Sequence, residues 1–442
     1  MKVSRYNLYF PLKNKYLVYN TLKDSILVID EDLKTLLETQ NLSDISPDMG
    51  KALHECGIIV PDSLDEKALV TFKYQVGKYS TEYVTVLLLP TYACNLSCHY
   101  CPNPGEPVFM DSETTQQVVA FLKECMKSAR RGLILKLYGG EPLLNVECCT
   151  TVCHSLSSFC QTHSLPFFAA AMTNGTLLTA KKPGDVLPYL GAIHVTLDGS
   201  QPYHDAVRHY SSGKGTYHDI MEGLCLAREK SMRISVRVNT TPENICSLND
   251  LLGDLRKYKF DEYDKFEIYF GPIAPKEECK HFKDEDSSGK FRKTIYELVP
   301  QLWKIVKESG WKGKKRDIIT DVRSVQRPVQ CQYQKAYTYV IDPRGQFYTC
   351  PAFAGDPRYC VGALSDTGPE FTALYYTMHT RDVMLMECGD CAYMPVCGGG
   401  CPAAALSHKG GVTDYYCGSI RESTESEIRL YVNRTYPEAH GW

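Results

Sequence analysis

Six short apolar segments alternate with helical stretches between residues 81 and 272. In chain order they read YVTVLLLP, LILKLYGG, PFFAAAMTNG, AIHVTLDG, RISVRVN and KFEIYFGP. Strands that alternate with helices in this way form parallel sheets, because each helix carries the chain back to the edge where the next strand begins. The sequence therefore predicts an α/β fold, in which six strands curl into a partial (β/α)6 barrel of the TIM type.

The regions on either side of this repeat have a different pattern. Residues 1–80 read as short strands followed by helices, which predicts a small α+β module with a three-stranded sheet. The barrel is expected to occupy residues 81–300, and a helical bridge residues 301–330. Residues 331–442 hold eight of the 20 cysteines, which predicts a separate cysteine-rich domain.

Charge and hydropathy exclude several classes of function. The formal net charge of −3 gives no general attraction to nucleic acid. The one compact basic run, Lys312 with Lys314, Lys315 and Arg316, is short and is interpreted as a solvated loop. The chain has no uninterrupted apolar segment of the roughly 20 residues that span a membrane, and its N-terminus lacks the apolar core of a secretory signal. We therefore expect a cytoplasmic protein with no membrane partner.

Three cysteines follow the first barrel strand directly. Cys94, Cys98 and Cys101 have the spacing C-x3-C-x2-C, whereas a metal site closed by protein thiolates normally has four ligands. If the three thiolates hold three irons of a [4Fe-4S] cluster, the fourth iron keeps an open position for a small molecule. The alternative is a zinc knuckle that borrows a distant ligand, for which His99 is a candidate.

Polar motifs follow the next three strands, at the end where parallel barrels place their chemistry. GGEP contains Gly139 and Gly140, which allow close backbone approach, and Glu141, which can accept a hydrogen bond from an ammonium group. TNG contains Asn174, and LDGSQPYHDAVR runs from Leu197 to Arg208.

The sequence resembles the radical S-adenosylmethionine (SAM) superfamily in three features. These are the cysteine spacing, the aromatic residue Tyr100 before the last cysteine, and the order of these motifs. The resemblance implies that the cofactor's amino and carboxylate groups fill the open iron position. It also implies a 5'-deoxyadenosyl radical that abstracts a hydrogen atom from the substrate, with a flavodoxin or ferredoxin-type protein as electron donor. The residues that it assigns to cofactor contacts are Tyr100, Gly139, Gly140, Glu141, Asn174, Asp198 and, as a carboxylate clamp, Arg208.

The C-terminal cysteines have a second recognisable spacing. C-x13-G-x4-C runs from Cys331 to Cys350, and C-x2-C-x5-C-x3-C runs from Cys388 to Cys401, followed by Cys417. This pattern resembles the SPASM extension of radical SAM enzymes, which carries two auxiliary iron–sulfur clusters, so the resemblance implies three [4Fe-4S] clusters in all. It assigns one auxiliary cluster to Cys388, Cys391, Cys397 and Cys417, and the other to Cys331, Cys350 and Cys401.

The second auxiliary set lacks a fourth ligand. Cys360 stands ten positions beyond Cys350 and is assigned as that ligand, with a site open to a substrate thiolate as the alternative. A zinc ribbon would explain the C-x2-C pair without any cluster.

The remaining nine cysteines are scattered through apparent core segments. Examples such as Cys56, Cys225 and Cys246 are predicted to be buried small hydrophobic residues. Cys149 and Cys153 are one helical turn apart, but no further pair with zinc-like spacing completes a site, so packing is also predicted for the group Cys148, Cys149, Cys153 and Cys160.

The N-terminal module suggests the substrate class. Its size and its order of strands before helices resemble the leader-recognition modules of enzymes that modify ribosomally made peptides, although a structural cap on the barrel is the alternative. The sequence is therefore interpreted as a peptide maturase that crosslinks a precursor peptide, through a thioether or carbon–carbon bond, or oxidises one of its residues. Because the radical SAM motifs all follow residue 80, a chain starting near Ser80 is expected to retain cofactor cleavage. An anaerobic sulfatase-maturing, formylglycine-forming enzyme and a non-catalytic zinc-stabilised scaffold protein are the alternative functions.

Overall fold

The structure is a computed structural model with two compact units. One unit comprises Met1–Ser80, Ile319–Lys335 and Met378–Trp442, and the other comprises Thr81–Ile318 and Ala336–Thr377. The structure describes all residues except 102–106, 128–131, 182, 273–297, 317–328, 330, 412–413, 418–419 and 436–442.

The second unit contains the predicted parallel strands. They pair in chain order, each with the next, and the α/β fold class is confirmed. The strands are β6 (Tyr83–Thr91), β7 (Gly132–Gly139), β8 (Phe167–Thr173), β9 (Leu190–Thr196), β10 (Arg233–Thr240) and β11 (Phe266–Pro272).

Helices follow these strands along the chain. They are α4 (Ser112–Met126), α5 (Val146–Thr162), α6 (Gln201–Val207), α7 (Tyr217–Glu229) and α8 (Leu248–Lys257), and residues 298–308 form α9. The start of α4 is fixed by Asp111, whose side chain accepts a hydrogen bond of 2.8 Å from the Thr114 backbone N–H. The apolar face of each helix is buried, as at Val118 and Leu122 of α4.

The sheet extends beyond the predicted strands on both sides. β12 (Lys314–Arg316) pairs with β11, so the prediction of a loop for the basic run is wrong at these residues. The sequence pattern did not predict this strand because three charged residues carry no apolar alternation. On the other side β13 (Thr338–Ile341) pairs in parallel with β6, and β14 (Gln346–Tyr348), β15 (Cys360–Ser365) and β16 (Gly368–Phe371) continue the sheet in antiparallel order.

The first unit begins with an antiparallel sheet of three strands. These are β2 (Asn7–Leu12), β3 (Lys15–Asn20) and β4 (Ser25–Ile29), and a separate short pair joins β1 (Lys2–Val3) to β5 (Ile59–Val60). Three helices lie in the same segment: α1 (Glu31–Glu38), α2 (Pro47–Glu55) and α3 (Glu66–Lys78). The small α+β module that the sequence predicts is therefore present.

The C-terminal part of this unit is helical. Its helices are α10 (Ala373–Thr380), which begins in the other unit, α11 (Met394–Cys397), α12 (Pro402–Lys409) and α13 (Ile420–Thr435). The division of the chain into four sequence segments stays a prediction, and residues 317–328 and 330 of the proposed helical bridge at 301–330 lie outside the described residues.

Each face of the N-terminal sheet contributes residues to a buried core. On one face Val18 and Ile29 pack with Leu37 of α1 and Leu53 of α2. On the other face the packing partners come from the C-terminal end of the chain, and this shared core consists of Leu8, Phe10, Leu17, Tyr19, Val396, Ile428 and Val432. Removal of residues 1–80 would therefore expose a core face of the cysteine-rich region, although the radical SAM motifs lie in the other unit.

Half of the eight scattered cysteines that the structure describes are buried as predicted, and Cys125 is half-buried. Cys148, Cys149, Cys153 and Cys160 are all buried on α5. Cys246 is an exception, because it lies exposed in the short helical turn before α8 with its Sγ near the Glu243 carbonyl. Cys56 and Cys225 are half-buried, and Cys279 lies outside the described residues. Among the described helices, none combines the length and the hydropathy of a transmembrane span.

The shared core of the first unit gives a testable prediction. Leu17→Ala should lower the free energy of unfolding by about 2–5 kcal/mol, because it leaves a cavity between the sheet and α13. Hydrogen exchange should then accelerate in α13 as well as in β2 to β4. The matched control is Leu251→Ala in α8, also fully buried, which should accelerate exchange in the barrel unit instead. Unchanged exchange in α13 of the Leu17 variant would show that the two segments fold independently.

Candidate active site

The three cysteines of the first motif lie in the loop after β6. Burial raises the pKa of Cys94, and it raises the pKa of Cys98 to about 11. The Cys101 thiol raises the pKa of both Cys94 and Cys98, so the three sulfurs lie close to one another. In the described residues no three His, Cys, Asp or Glu side chains converge on one metal-ion position. A cluster does not require such convergence, because each thiolate binds a different iron.

Gly139 and Gly140 hold the second loop against the cysteine loop. The Gly140 N–H donates to the Thr91 carbonyl at 3.1 Å, and the Glu141 N–H donates to the Ala93 carbonyl at 2.8 Å. A Cβ atom on Gly139 would lie 2.4 Å from the Thr91 carbonyl oxygen, and one on Gly140 would lie 2.1 Å from that of Ala93. Only glycine allows this close backbone approach, so the motif fixes the position of the cysteine loop.

Glu141 is fully buried, and its carboxylate connects the second loop to the third. It accepts hydrogen bonds from the Asn174 N–H at 2.7 Å and the Leu143 N–H at 3.0 Å, while the Thr173 hydroxyl lies 2.8 and 2.9 Å from its two oxygens. Burial raises its pKa to about 7, although these donors oppose the shift. Glu141 therefore organises the loops, and its contact with a cofactor ammonium stays a prediction.

Asn174 also connects two loops. Its Nδ2 donates to Asn95 Oδ1 at 2.8 Å and lies 3.9 Å from Cys94 Sγ, while its Oδ1 accepts from the N–H and hydroxyl of Thr176. Asn95 Nδ2 in turn donates to the Thr176 hydroxyl at 2.9 Å. The side chain of Asn174 thus sits directly beside the first cysteine, and Asn95 and Thr176 are partners that the sequence did not reveal.

A buried network joins Tyr100, Asp198 and Arg208. The sequence assigned all three to one site, and such a site requires them to be neighbours. Arg208 Nη1 donates to the Tyr100 hydroxyl at 2.6 Å, and that hydroxyl donates to Asp198 Oδ2. The guanidinium lies 3.9 Å from the same carboxylate oxygen. Burial by itself lowers the pKa of Arg208. The neighbouring Tyr100 and Asp198 have the larger effect together, so the pKa of the guanidinium is raised. Burial raises the pKa of Asp198.

The network extends to the fifth strand, which the sequence motifs did not include. Asn239 at the carboxyl end of β10 donates its N–H to Asp198 Oδ1 and its Nδ2 to the Tyr100 hydroxyl, each at 3.0 Å. Asn244 Nδ2 donates to the Asp198 carbonyl at 2.8 Å. A polar residue at the end of β10 follows the same rule as the first four loops, so this signal could have been read from the sequence.

Arg208 provides the observation that tests the fit of a bound cofactor. Its Nε is buried and has no hydrogen-bond partner among the described residues. Its charge also lowers the pKa of Cys98, which places the guanidinium beside the cysteine loop. A cation with an unused N–H next to three thiols fits a carboxylate ligand on an iron–sulfur cluster. The residues present therefore fit the combination of [4Fe-4S] cluster and SAM.

The sheet face opposite the helices carries several polar side chains. In β7 the alternate residues Leu133, Leu135 and Leu137 are buried, whereas Lys136 between them is half-buried. The strand register places His194 beside Ser235, and Arg237 beside Tyr269, on neighbouring strands. Ser235 donates to Glu267 at 2.7 Å. This polar face adjoins the site, because Arg237 Nε donates to Asn239 at 2.8 Å.

A comparison with protein families identifies the domain that contains this site. The sequence profile of the Radical SAM superfamily matches residues 88–255, a range that includes Cys94 to Arg208. Residues 88–255 belong to the radical SAM superfamily. The resemblance predicted from the motifs is thus confirmed, and with it an enzyme domain of the kind that uses a [4Fe-4S] cluster and S-adenosylmethionine.

Two relatives cover different lengths of the chain. An uncharacterized protein of Methanocaldococcus jannaschii is 22% identical over 285 residues, which is 64% of this chain and 88% of the relative. A probable GTP 3',8-cyclase of Methanocella arvoryzae is 27% identical over 34% of this chain and 45% of the relative. The second match therefore covers less than half of that protein.

Solved structures share the fold over more of the chain. AnSMEcpe with bound AdoMet and the Cp18Cys peptide has a TM-score of 0.59 at 16% identity, over 81% of this chain and 99% of that structure. Streptococcus suis SuiB bound to its precursor peptide SuiA has a TM-score of 0.54 at 13% identity, over 95% of this chain and 99% of that structure. These similarities show a radical SAM fold.

The first auxiliary set of cysteines lies together in the first unit. Burial raises the pKa of Cys388, and Cys417 and Cys391 raise it further. Burial likewise raises the pKa of Cys397 to about 11, and Cys417 and Cys388 contribute. The four thiols that the SPASM resemblance assigns to one cluster are therefore neighbours, although the cluster itself stays a prediction.

The second auxiliary set is divided between the units. Cys331 and Cys401 belong to the first unit, where burial and the Cys401 thiol raise the pKa of Cys331. Cys350 and Cys360 belong to the second unit, and Cys360 at the start of β15 donates to the Gly362 carbonyl at 3.2 Å. Ligation by Cys360 stays a prediction.

The buried network of the radical SAM domain gives the second prediction. Asp198→Asn should lower the free energy of unfolding by about 3 kcal/mol, because it leaves the Arg208 charge buried without its carboxylate. Adding Arg208→Met removes that charge, so the double variant should be more stable than the sum of the single changes predicts, by at least about 1 kcal/mol. Urea denaturation of the three variants and the unchanged protein measures this coupling. Strictly additive losses would show that the two side chains do not interact.

Proposed function

We propose that this chain is a radical SAM peptide maturase, which abstracts a hydrogen atom from a ribosomally made precursor peptide and crosslinks or oxidises one of its residues. The observation that carries the proposal is the cysteine loop, whose three neighbouring thiols lie beside the buried Arg208 with its unused N–H. A [4Fe-4S] cluster with S-adenosylmethionine supplies one-electron cleavage to a 5'-deoxyadenosyl radical.

The chain's own residues bind and orient these groups. Cys94, Cys98 and Cys101 would hold three irons, and Arg208 would bind the cofactor carboxylate through its buried Nε. The Gly139–Gly140 pair and Glu141 keep the cysteine loop in place through backbone contacts. Tyr100 and Asp198 fix the orientation of Arg208, which therefore approaches its ligand pre-positioned.

The C-terminal cysteines extend the proposal to two auxiliary clusters of the SPASM type. Cys388, Cys391, Cys397 and Cys417 would hold one, in agreement with the mutual effects of their thiols. Cys331, Cys350, Cys401 and Cys360 would hold the other. A flavodoxin or ferredoxin-type protein would deliver the electrons that these clusters need.

The N-terminal sheet offers an edge for the leader of a precursor peptide. No strand of the described residues pairs with the outer edge of β4, and Val28 on that strand is 47% exposed. The opposite edge strand, β2, contains Pro11, which lacks a backbone donor. An extended peptide would therefore add to β4, where its main chain forms the hydrogen bonds and its side chains cover Val28.

Two comparisons support a precursor peptide as the substrate. SuiB, which is solved with a precursor peptide, matches 95% of this chain, against 81% for anSMEcpe. The longer match favours an enzyme that acts on a precursor peptide over the sulfatase-maturing alternative. Both solved structures contain a peptide, and we transfer the substrate class to this chain as a proposal.

The proposal predicts separate effects on recognition and on radical formation. With a reductant, S-adenosylmethionine and the short peptides encoded beside its gene, the enzyme should form 5'-deoxyadenosine and change the mass of one peptide. Val28→Asp should reduce peptide modification about tenfold, because a charged residue at the strand edge opposes strand addition. It should leave unproductive 5'-deoxyadenosine formation intact, because Val28 is remote from the cysteine motif in sequence and lies in the other unit.

Met49→Asp is the matched control for this experiment. Met49 is similarly exposed, at 43%, but lies on α2, so this variant should modify the peptide at the normal rate. Equal losses in both variants would contradict recognition at β4. The absence of 5'-deoxyadenosine from the unchanged enzyme, or zinc in place of iron and acid-labile sulfide, would contradict the enzymatic proposal as a whole.

A further inference from the structure

A buried arginine lies among the C-terminal cysteines and has no role in the function proposed so far. Arg381 follows α10 and is only 4% exposed. Its Nη2 donates to the carbonyls of Gly399 at 3.1 Å and Asp414 at 2.7 Å, and its Nε donates to the Asp414 carbonyl at 3.1 Å. Its Nη1 is buried and has no hydrogen-bond partner among the described residues. The guanidinium therefore retains an unused N–H in the interior of the first unit.

The surroundings of Arg381 contain thiols but no ion-pair partner. Burial lowers the pKa of Arg381, and the groups that oppose this are the Tyr74 hydroxyl and three thiols, those of Cys388, Cys401 and Cys397. In the part of the chain that the structure describes, no carboxylate lies within ion-pair distance of its guanidinium. Its hydrogen-bond acceptors are neutral backbone carbonyls, which do not balance a full charge.

Two glycines beside Arg381 allow the backbone to pack closely there. Gly399 and Gly400 both have positive φ, at +83° and +74°. A Cβ atom on Gly399 would lie 2.4 Å from Val383, and one on Gly400 would lie 2.1 Å from the Tyr416 carbonyl oxygen. These two glycines let the chain between Cys397 and Cys401 fold tightly, which places the Gly399 carbonyl on the guanidinium.

A buried cation without a counter-ion is costly, because removing a charge from water costs several kcal/mol unless a partner compensates it. A cluster held by four thiolates carries net negative charge and lacks donors of its own. Arg381 supplies both the missing positive charge and an unused N–H beside such a site. The cluster therefore provides the negative charge that Arg381 lacks, and Arg381 provides the donor that the cluster lacks.

We infer that Arg381 is the counter-ion and a hydrogen-bond donor of the auxiliary cluster held by Cys388, Cys391, Cys397 and Cys417. This inference rests on the auxiliary clusters in the proposed function. A charge at this position also affects the reduction potential of the cluster. A fixed positive charge beside the cluster stabilises its reduced, more negative state, so Arg381 raises the reduction potential.

The test uses protein in which Cys94, Cys98 and Cys101 are replaced by Ala, so that only auxiliary clusters form. After anaerobic loading with iron and sulfide, redox titration is followed by electron paramagnetic resonance, and the signal that Cys391→Ala abolishes is assigned to this cluster. Arg381→Gln keeps amide donors for the Gly399 and Asp414 carbonyls but removes the charge. At a fixed potential its reduced-to-oxidised ratio should fall at least tenfold, which is 59 mV for a one-electron couple.

Two further variants separate charge from structure. Arg381→Lys keeps the charge and should restore most of the potential, or retain iron if the glutamine variant loses it. Arg429→Gln is the matched control, because Arg429 belongs to the same unit but pairs with Glu425 on α13, so the potential should not change.

Three outcomes would overturn the inference. An unchanged potential in Arg381→Gln would refute the role of Arg381 while leaving the auxiliary cluster in place. Loss of iron from the glutamine and lysine variants alike would show that Arg381 acts only as a structural residue. Absence of iron and sulfide from the parent of these variants would refute the auxiliary cluster itself, and the inference with it.

Discussion

The parallel pairing of β6 to β11 is the constraint on which the active site depends, because it brings the loops after successive strands to one edge of the sheet. The glycine pair after β7 then holds the cysteine loop by backbone hydrogen bonds. Glu141 joins this arrangement to the third loop, and the hydroxyl of Tyr100 joins it to Asp198 and Asn239. Each loop is thus fixed by its neighbours.

The buried arginines of the two units have different neighbours. Arg208 lies 3.9 Å from the carboxylate of Asp198, so most of its charge is compensated by the protein and one N–H remains for a ligand. Arg381 has only carbonyl acceptors and depends on a bound group for its counter-ion.

Much of this could be predicted from the sequence, and the reasons are local. Strand periodicity located the six barrel strands, and the order of short motifs after them located Cys94 to Arg208, since both signals reside in contiguous residues. The shared core of β3 and α13 could not be predicted, because it joins residues such as Leu17 and Ile428 that are far apart in the chain. Arg381 was also missed, since a single arginine carries no pattern and only its buried, unpaired Nη1 reveals a role.

In the proposed function, three thiolates leave one iron of the cluster open to S-adenosylmethionine. Electron paramagnetic resonance of the reduced enzyme, with and without isotope-labelled S-adenosylmethionine, tests it most directly. We expect the cofactor to change the spectrum of one cluster, with hyperfine coupling from its labelled amino nitrogen and carboxylate oxygen, and to have no such effect in Cys98→Ala. A spectrum that the cofactor leaves unchanged in iron-loaded enzyme would contradict it.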